Sequence, residues 1–495
     1  MAGLSGGNSH QSAETDDDVK TLQSMGYTQE LSRSMKPFSN FAISFSIICI
    51  LSGGINSLSQ GISGVGGAAI GIGWLVGCAI SLIFALGMAQ ISSAYPTAGG
   101  LYHWSSILGG RGWGWLTAWL NLLGLVTVLG AVNVGTFYFF IGAFGPTLGF
   151  EPNFATQASF VIGITVLQAL INHQGIKLTA FLTDISGYLI FATALALTFA
   201  LLAFAPSWDL SRLVTFKNYS GAAGGDVWPA TQNMMLLFGL GLLLPIYTIT
   251  GFDASAHTAE ETHNASHSVP KGIVTSVIYS SIFGYLMLCS FVIAIPDMDK
   301  AAASGGNVFF ATMDAVLPGT LKEVLFFAIL ASQFLCGLAT VTSASRMIFA
   351  FARDGGLPAS HILKKVHSTL RSPVAAIWTA TVISILFTLY TPAYTTIVSV
   401  TVIFIFISYG LPVILGGFAY GRSWTHMGPW NMGPIYRLVA ILTAIAIVLV
   451  IFLGVQPPND AALNVTLAFL LLTAIVWFGF ERRRFKGPPN VMKMD

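Results

Sequence analysis

Two stretches interrupt otherwise apolar runs with residue types that can hold a polar solute. In the first, Phe45-Ser-Ile-Ile-Cys-Ile50-Leu51 runs into Ser52-Gly53-Gly54-Ile55-Asn56-Ser57. In the second, Leu242-Leu-Leu-Pro245-Ile-Tyr247 runs into Thr248-Ile-Thr250-Gly251-Phe252-Asp253. Gly and Pro weaken a helical ladder, and neighbouring Ser, Thr and Asn can satisfy the backbone groups that are freed. A broken apolar helix presents N–H groups at the start of its second half, a positive dipole end suited to a carboxylate. The carbonyls freed at the end of the first half suit an ammonium. Such a break binds a zwitterion without any fixed charge. Packing is the competing reading, and Gly73-x-x-x-Gly77 is read as a small-residue packing face. Two breaks in corresponding positions of successive helix sets favour a binding site at mid-membrane.

Few side chains can add chemistry of their own. Asp253 is the one acidic residue beside either break. A carboxylate at membrane depth is costly and normally functional, so Asp253 is read as a protonatable coupling or gating group. A cap on the second half-helix is the plainer reading and is compatible with the first. Glu260 and Glu261 follow at the end of the same segment and read as gate or loop anchors. His257-x-x-Glu260-Glu261-x-His263 lacks the second His of a zinc-protease pattern, so these are loop or gate histidines and no metal is expected. No Gly-rich phosphate loop with Lys occurs, which excludes a built-in ATPase. With no nucleophile–base pair either, no enzyme and no cofactor are expected.

Composition fixes the setting of these residues. Of 495 residues, Asp, Glu, Lys and Arg make up 8%, against roughly 25% in a soluble protein. Apolar residues reach 54% and the mean hydropathy is +0.74. So few charges cannot cover a soluble fold of this size, and the chain reads as an all-α membrane protein. A net charge of +2 is too small and dispersed for a nucleic-acid partner. The four cysteines, Cys49, Cys78, Cys289 and Cys336, sit inside apolar runs and read as free thiols.

Charged residues divide the chain into spans. The 74 uncharged residues between Lys36 and Arg111 hold two helices of about 20 residues each. Single spans fit in 112–150, 152–176, 185–208, 227–252, 272–296 and 324–345, two more in 372–421 divided near Thr391-Pro392, and the last in 438–459 and 461–480. Each is too long for a barrel strand of about ten residues, so twelve transmembrane helices are expected. Of the 22 Lys and Arg, 18 fall on the side of the termini and only Arg212, Lys217, Lys300 and Lys322 on the other. The bias places both termini in the cytoplasm. Residues 1–37 are polar and read as a disordered cytoplasmic tail without a cleavable signal. Residues 482–495 read as a second cytoplasmic tail, with Arg482-Arg483-Arg484 as a stop-transfer anchor or an anionic-lipid contact.

The ordered motifs are more specific than the breaks alone. Ser52-Gly-Gly-Ile, Gly71-Ile-Gly-Trp-Leu-Val-Gly77, Tyr95-Pro-Thr-Ala-Gly-Gly100 and Gly114-Trp-Leu-Thr-Ala-Trp-Leu-Asn-Leu122 resemble the amino acid–polyamine–organocation (APC) transporter superfamily. So do Thr250-Gly-Phe-Asp-Ala-Ser-Ala-His-Thr-Ala-Glu-Glu261, Val269-Pro-Lys-Gly-Ile273 and Ala352-Arg-Asp-Gly-Gly-Leu-Pro358. The likeness runs from about Phe38 to Glu481 and is greatest to the amino acid/choline/GABA permease branch.

The resemblance implies a five-plus-five inverted-repeat (LeuT-like) core over residues 38–420, with broken helices one and six, and two additional helices over 421–481. It puts the substrate carboxylate on amides near Gly53 and Gly54 and the amino group on carbonyls of Ile50, Tyr247 and Thr250, with Gly251 and Phe252 completing the second break and Tyr247 as an aromatic gate. Ser52-Gly53-Gly54 stands where the usual order is Gly-Ser-Gly, which moves the hydroxyl by one place. Thr342 and Ser343 fall where distant sodium-coupled relatives bind a cation, and oxygen ligands suit one; such hydroxyls also commonly bond back to their own helix. The expected function is secondary active transport of an amino acid, GABA or a related small amine by alternating access, coupled to a proton or sodium or run as exchange. A choline- or polyamine-type permease of the same fold, or a non-transporting nutrient sensor, are the alternatives. The expected location is a plasma membrane, among membrane lipid.

Overall fold

The computed structural model describes residues 17–390 and 394–489. Among them there is no β-strand, only isolated bridges pairing Met35 with Thr262 and Tyr420 with Trp424. The helices that matter here are α1 (Pro37–Ile48), α2 (Gly53–Asn56), α3 (Leu58–Val65), α4 (Leu75–Ala94), α5 (Gly100–Gly109), α6 (Arg111–Leu148), α7 (Phe154–His173) and α8 (Ile176–Phe204). They are followed by α9 (Met234–Gly241), α10 (Leu243–Thr248), α11 (Ala254–His257), α12 (Ala265–Ala294) and α13 (Gly319–Arg353). The last four are α14 (Val374–Tyr390), α15 (Tyr394–Ala419), α16 (Ile435–Gly454) and α17 (Asp460–Val476).

Ten helical stretches are long and apolar enough to cross a membrane, and two further apolar ones, Met234–Thr248 and Val374–Tyr390, are shorter. The two short ones occupy the sixth and ninth of the expected crossings. The sixth is short because its helix stops at Ile249 and turns through Gly251 at φ +90°. The division expected near Thr391-Pro392 lies outside the described residues.

Local signals set the helix ends. Pro37 opens α1, where its missing N–H costs nothing. Asn153 and Thr156 exchange side-chain and backbone bonds as a capping box on α7. Gly149 closes α6 in the left-handed conformation.

Burial separates central from peripheral helices. The first span, Pro37–Val65, is 94% buried over its apolar window and α6 is 89% buried, whereas the last is 17% buried. The long α6 packs along α15, α13 and α5, while α12 packs on α1, α4 and α8. All four cysteines are buried and free.

Residues 1–16 of the expected disordered tail lie outside the described residues. From Asp17 on, the chain forms a strap across one end of the bundle. Asp18 accepts from the Asn264 and Ala265 amides at the start of α12 (2.7 and 2.9 Å), where a helix leaves its N–H groups unpaired. Arg33 donates to the Thr262 carbonyl at 2.5 Å, and the Ser34 and Met35 amides donate to the Glu261 carbonyl. Leu22, Met25, Leu31 and Met35 are buried beneath it. Polar side chains here bond to helix ends instead of water, which is why a tail-like composition is ordered.

Candidate functional site

The two interruptions are real breaks, and they meet. α1 ends at Ile48, Cys49 turns with φ +26°, and the chain resumes as α2 at Gly53. The Ser52 and Gly53 amides both reach back to the Cys49 carbonyl (2.7 and 3.1 Å). On the other side α10 ends at Thr248 and α11 begins at Ala254. A side chain on Gly53 would stand 2.8 Å from Thr248 Cα, so the absence of Cβ lets the backbones touch. Gly251, at φ +90°, packs against Ile47, where a Cβ would collide with Ile47 Cγ2.

Between the breaks lies a cavity of about 10 Å³, lined by Ile47, Ile48, Ser52, Gly53, Val128, Val132, Tyr247, Thr248 and Thr250. That is room for about one water, so this conformation is closed. Of the residues expected at the site, Ser52, Gly53, Tyr247 and Thr250 line the cavity. Gly54 instead faces Leu288 and Met287 of α12, and Ile50 packs on Gly284. The Tyr247 carbonyl accepts from the Thr250 hydroxyl at 2.7 Å. The Phe252 ring lies tilted 4.6 Å from that of Tyr409, and the Phe252 carbonyl accepts from Ser44 at 2.9 Å.

Asp253 is fully buried and lies in a polar cluster. Oδ1 accepts from the Tyr409 hydroxyl at 2.7 Å. Oδ2 receives Asn121 Nδ2 at 3.0 Å and lies 3.1 Å from His257 Nε2. Its side chain makes no capping bond to α11, so its partners are side chains of α6, α15 and α11. Thr342 donates to Asn172 on α7 at 2.7 Å and to its own helix at Leu338. The residues of α13 that reach the first break are instead Gln333, which donates to the Leu51 carbonyl at 3.0 Å, and Cys336, whose thiol reaches the Ile47 carbonyl at 3.2 Å. Ser343 is buried and its hydroxyl has no hydrogen-bond partner among the described residues.

A family model described as "Amino acid permease" matches residues 35–480. The chain belongs to the amino acid permease family. It is 32% identical to "Amino-acid permease BAT1" of Arabidopsis thaliana, over 94% of this chain and 95% of that one. It is 31% identical to the BAT1 homolog of Oryza sativa subsp. japonica over 94% of each. The "GABA-specific permease" of Saccharomyces cerevisiae is 27% identical over 98% of this chain and 88% of its own. The protein is thus a multi-pass membrane transporter and not an enzyme.

For a permease the closures at either end of the cavity matter as much as the cavity. Tyr247 meets Tyr394 edge-on at 6.4 Å, and Tyr394 shares a 3.2 Å hydrogen bond with Ser57. Beyond this pair opens a vestibule of about 560 Å³ lined by Asn56, Gln60, Phe139, Phe310 and loop residues Asp226 and Asn307. At the opposite end, where α13 finishes, Glu261 forms a bidentate pair with Arg346 (2.9 and 3.0 Å) and Glu260 another with Arg353 (both 2.9 Å). Tyr27 and Tyr102 both donate to Asp354 Oδ2 (2.7 and 2.9 Å), and the Arg353 guanidinium lies 3.9 Å over the Tyr27 ring. Burial, ahead of the neighbouring charges, holds the Asp354 carboxyl above the usual carboxylate range. The N-terminal strap joins this closure through Tyr27 and Arg33. The Glu260 and Glu261 anchors expected from sequence therefore have their partners in this permease. The residues that sequence reasoning missed are Asn121, Tyr409, Tyr394, Val128 and Val132; the i,i+4 spacing of Asp253 and His257 was a signal available for the fourth member of the Asp253 cluster.

Proposed function

We propose that this permease carries a small amino-containing solute, an amino acid, GABA or a related amine, across a plasma membrane by alternating access. The solute's carboxylate is held by amides of the first break near Gly53 and Gly54, and its ammonium by carbonyls of Ile50, Tyr247 and Thr250. The observation that carries the reading is the meeting of two helix breaks at Gly53 and Thr248 around a closed cavity. Twelve crossings with both termini cytoplasmic fit the 18-to-4 distribution of basic residues, and the first ten form a five-plus-five core followed by α16 and α17. Spans one, two, six and seven move against three, four, eight and nine. The coupling group is Asp253 and the coupling ion a proton, supported by the Asp253 hydrogen bonds to Tyr409 and Asn121.

The test is a competition panel in proteoliposomes under imposed proton and sodium gradients. Amino acids and GABA compete, their esters and decarboxylated forms compete poorly, and sodium adds nothing. An organocation reading draws on Tyr247 and Tyr394, whose faces suit a quaternary amine. Strong competition by choline with none from any amino acid overturns the amino acid reading and leaves that one. Saturable binding without flux points to a sensor.

A further inference from the structure

His257 completes the Asp253 cluster, and its two ring nitrogens restrict where protons can be. The side chains of Asp253 and His257 are both 0% exposed and lie one turn apart on the second half of the broken helix. Nδ1 lies 3.2 Å from the Ala98 carbonyl and Nε2 lies 3.1 Å from Asp253 Oδ2. A carbonyl only accepts, so the contact to Ala98 requires a proton on Nδ1. A neutral imidazole has one N–H; with it on Nδ1, a lone pair on Nε2 would face the carboxylate. The other tautomer sets the Nδ1 lone pair against the Ala98 oxygen. Both contacts hold together only if the pair carries one more proton, on Nε2 or on Oδ2.

The donors around the carboxylate decide between these two. The Tyr409 oxygen accepts from the Gly251 amide at 2.9 Å, so its own hydrogen points to Asp253 Oδ1 at 2.7 Å. Asn121 Nδ2 donates to Oδ2 at 3.0 Å. A carboxylate that already accepts two hydrogen bonds is stabilised as the anion. These donors favour the proton on Nε2, with His257 as an imidazolium and Asp253 as its counter-ion.

We infer that His257 is the proton carrier of this permease, a role that rests on the reading of the chain as a proton-coupled carrier with Asp253 at its coupling site. In the closed conformation the pair holds one transferable proton and is neutral. When α11 moves away from Asn121 and Tyr409, the Nε2–H bond breaks, the proton passes to water on the open side, and the electron pair stays on the ring. The pair then carries one negative charge. Gly251, the turning residue of the second break, is bonded to the same Tyr409 hydroxyl, so the charge change acts on the break itself. The other titratable groups on surrounding elements do not compete for this proton. His103 on α5, bonded to Thr97 at 2.9 Å, is pushed down to about 3 by burial and by Arg353. Glu260 and Glu261 are paired to Arg353 and Arg346, and Tyr102 donates to Asp354.

Two measurements test this on the full chain in lipid. The first is nitrogen-15 magnetic resonance of histidine-labelled protein, which reads protonation without needing transport; the chain has nine histidines. The spectrum is expected to contain one imidazolium with both nitrogens protonated and one of them bonded to a carboxylate. That signal disappears in His257→Gln, and it is lost or shifted in Asp253→Asn, which serves as the second variant if the first fails to fold. The second is accumulation of the solute under a proton gradient, expected to fall at least tenfold in His257→Gln while counterflow exchange remains measurable. A neutral His257 at pH 7 overturns the inference whatever the transport result. An imidazolium with normal proton-driven accumulation in His257→Gln also overturns it, leaving a structural ion pair. Failure of every amine and amino acid in the competition panel, with the imidazolium present, is instead a failure of the substrate reading.

Discussion

Gly53 and Gly54 are adjacent, yet the closed structure predicts opposite outcomes for the same substitution. A Cβ on Gly53 would lie 2.8 Å from Thr248 Cα and 2.9 Å from its Oγ1, so main chain obstructs it. On Gly54 the nearest atoms are Leu288 Cδ1 at 3.7 Å and Met287 Cε at 3.8 Å, ordinary contact. Overpacking costs about 1–3 kcal/mol, and an obstacle made of backbone places Gly53→Ala in the upper half of that range. At about 1.4 kcal/mol per tenfold, the arrangement in which the breaks touch loses about 25- to 150-fold in population. A transport cycle that passes through this arrangement slows by the same factor. Gly54→Ala fills free space and improves helix preference by about 0.5–1 kcal/mol, so its rate stays within about fivefold of the parent by the same conversion. The assay is initial uptake of a radiolabelled amino acid in proteoliposomes, normalised to inserted protein, with a monodisperse detergent profile required of both variants. Equal rates for the two variants, or a larger loss in Gly54→Ala, would refute the claim that contact between the breaks is part of the cycle.

Other outcomes follow from the two closures. Tyr394→Ala removes half of the aromatic pair between cavity and vestibule, so a Ser52→Cys probe should be labelled by a charged thiol reagent at least tenfold faster than with Tyr394 in place. Arg346→Met leaves Glu261 buried and unpaired, a cost of about 3–5 kcal/mol, and should lower the melting temperature in detergent sharply; adding Glu261→Gln should recover part of the loss. The Asp354 carboxyl is raised by burial, so it binds its proton more tightly while this end of the bundle is packed than when it opens to water. Its stabilising effect is complete below the usual carboxylate range and is lost as pH rises through the raised value. Amide exchange over residues 18–35, corrected for its intrinsic pH dependence, should therefore increase with pH over that window, and Asp354→Asn should flatten the trend.

The breaks were legible because Gly, Pro, Ser and Thr stand out in apolar runs, and the crossings because so few charges interrupt them. The partners of Asp253 were not, since Asn121 and Tyr409 lie 132 and 156 positions away and only folding brings them together. Gly53 and Gly54 cannot be told apart by type; one faces Thr248 and the other α12 because a helix presents successive residues on different faces. The strap was missed for a different reason. Its composition is that of a solvated tail, and what orders it is the set of unpaired backbone groups at the start of α12, which no local pattern in residues 17–36 reveals.

The makeup of the cavity wall bears on how such a carrier diversifies. Around the closed cavity, Gly53 offers no side chain at all, and a break exposes amides and carbonyls, groups that every sequence possesses. Val128 and Val132 of α6 are side chains on the facing wall, one turn apart on a helix that carries no break. Mutation cannot rewrite the main chain, but it can exchange a valine for alanine or isoleucine without disturbing either break. If the solute sits between the breaks, Val128 and Val132 are where the shape of its wall can change while both breaks stay as they are.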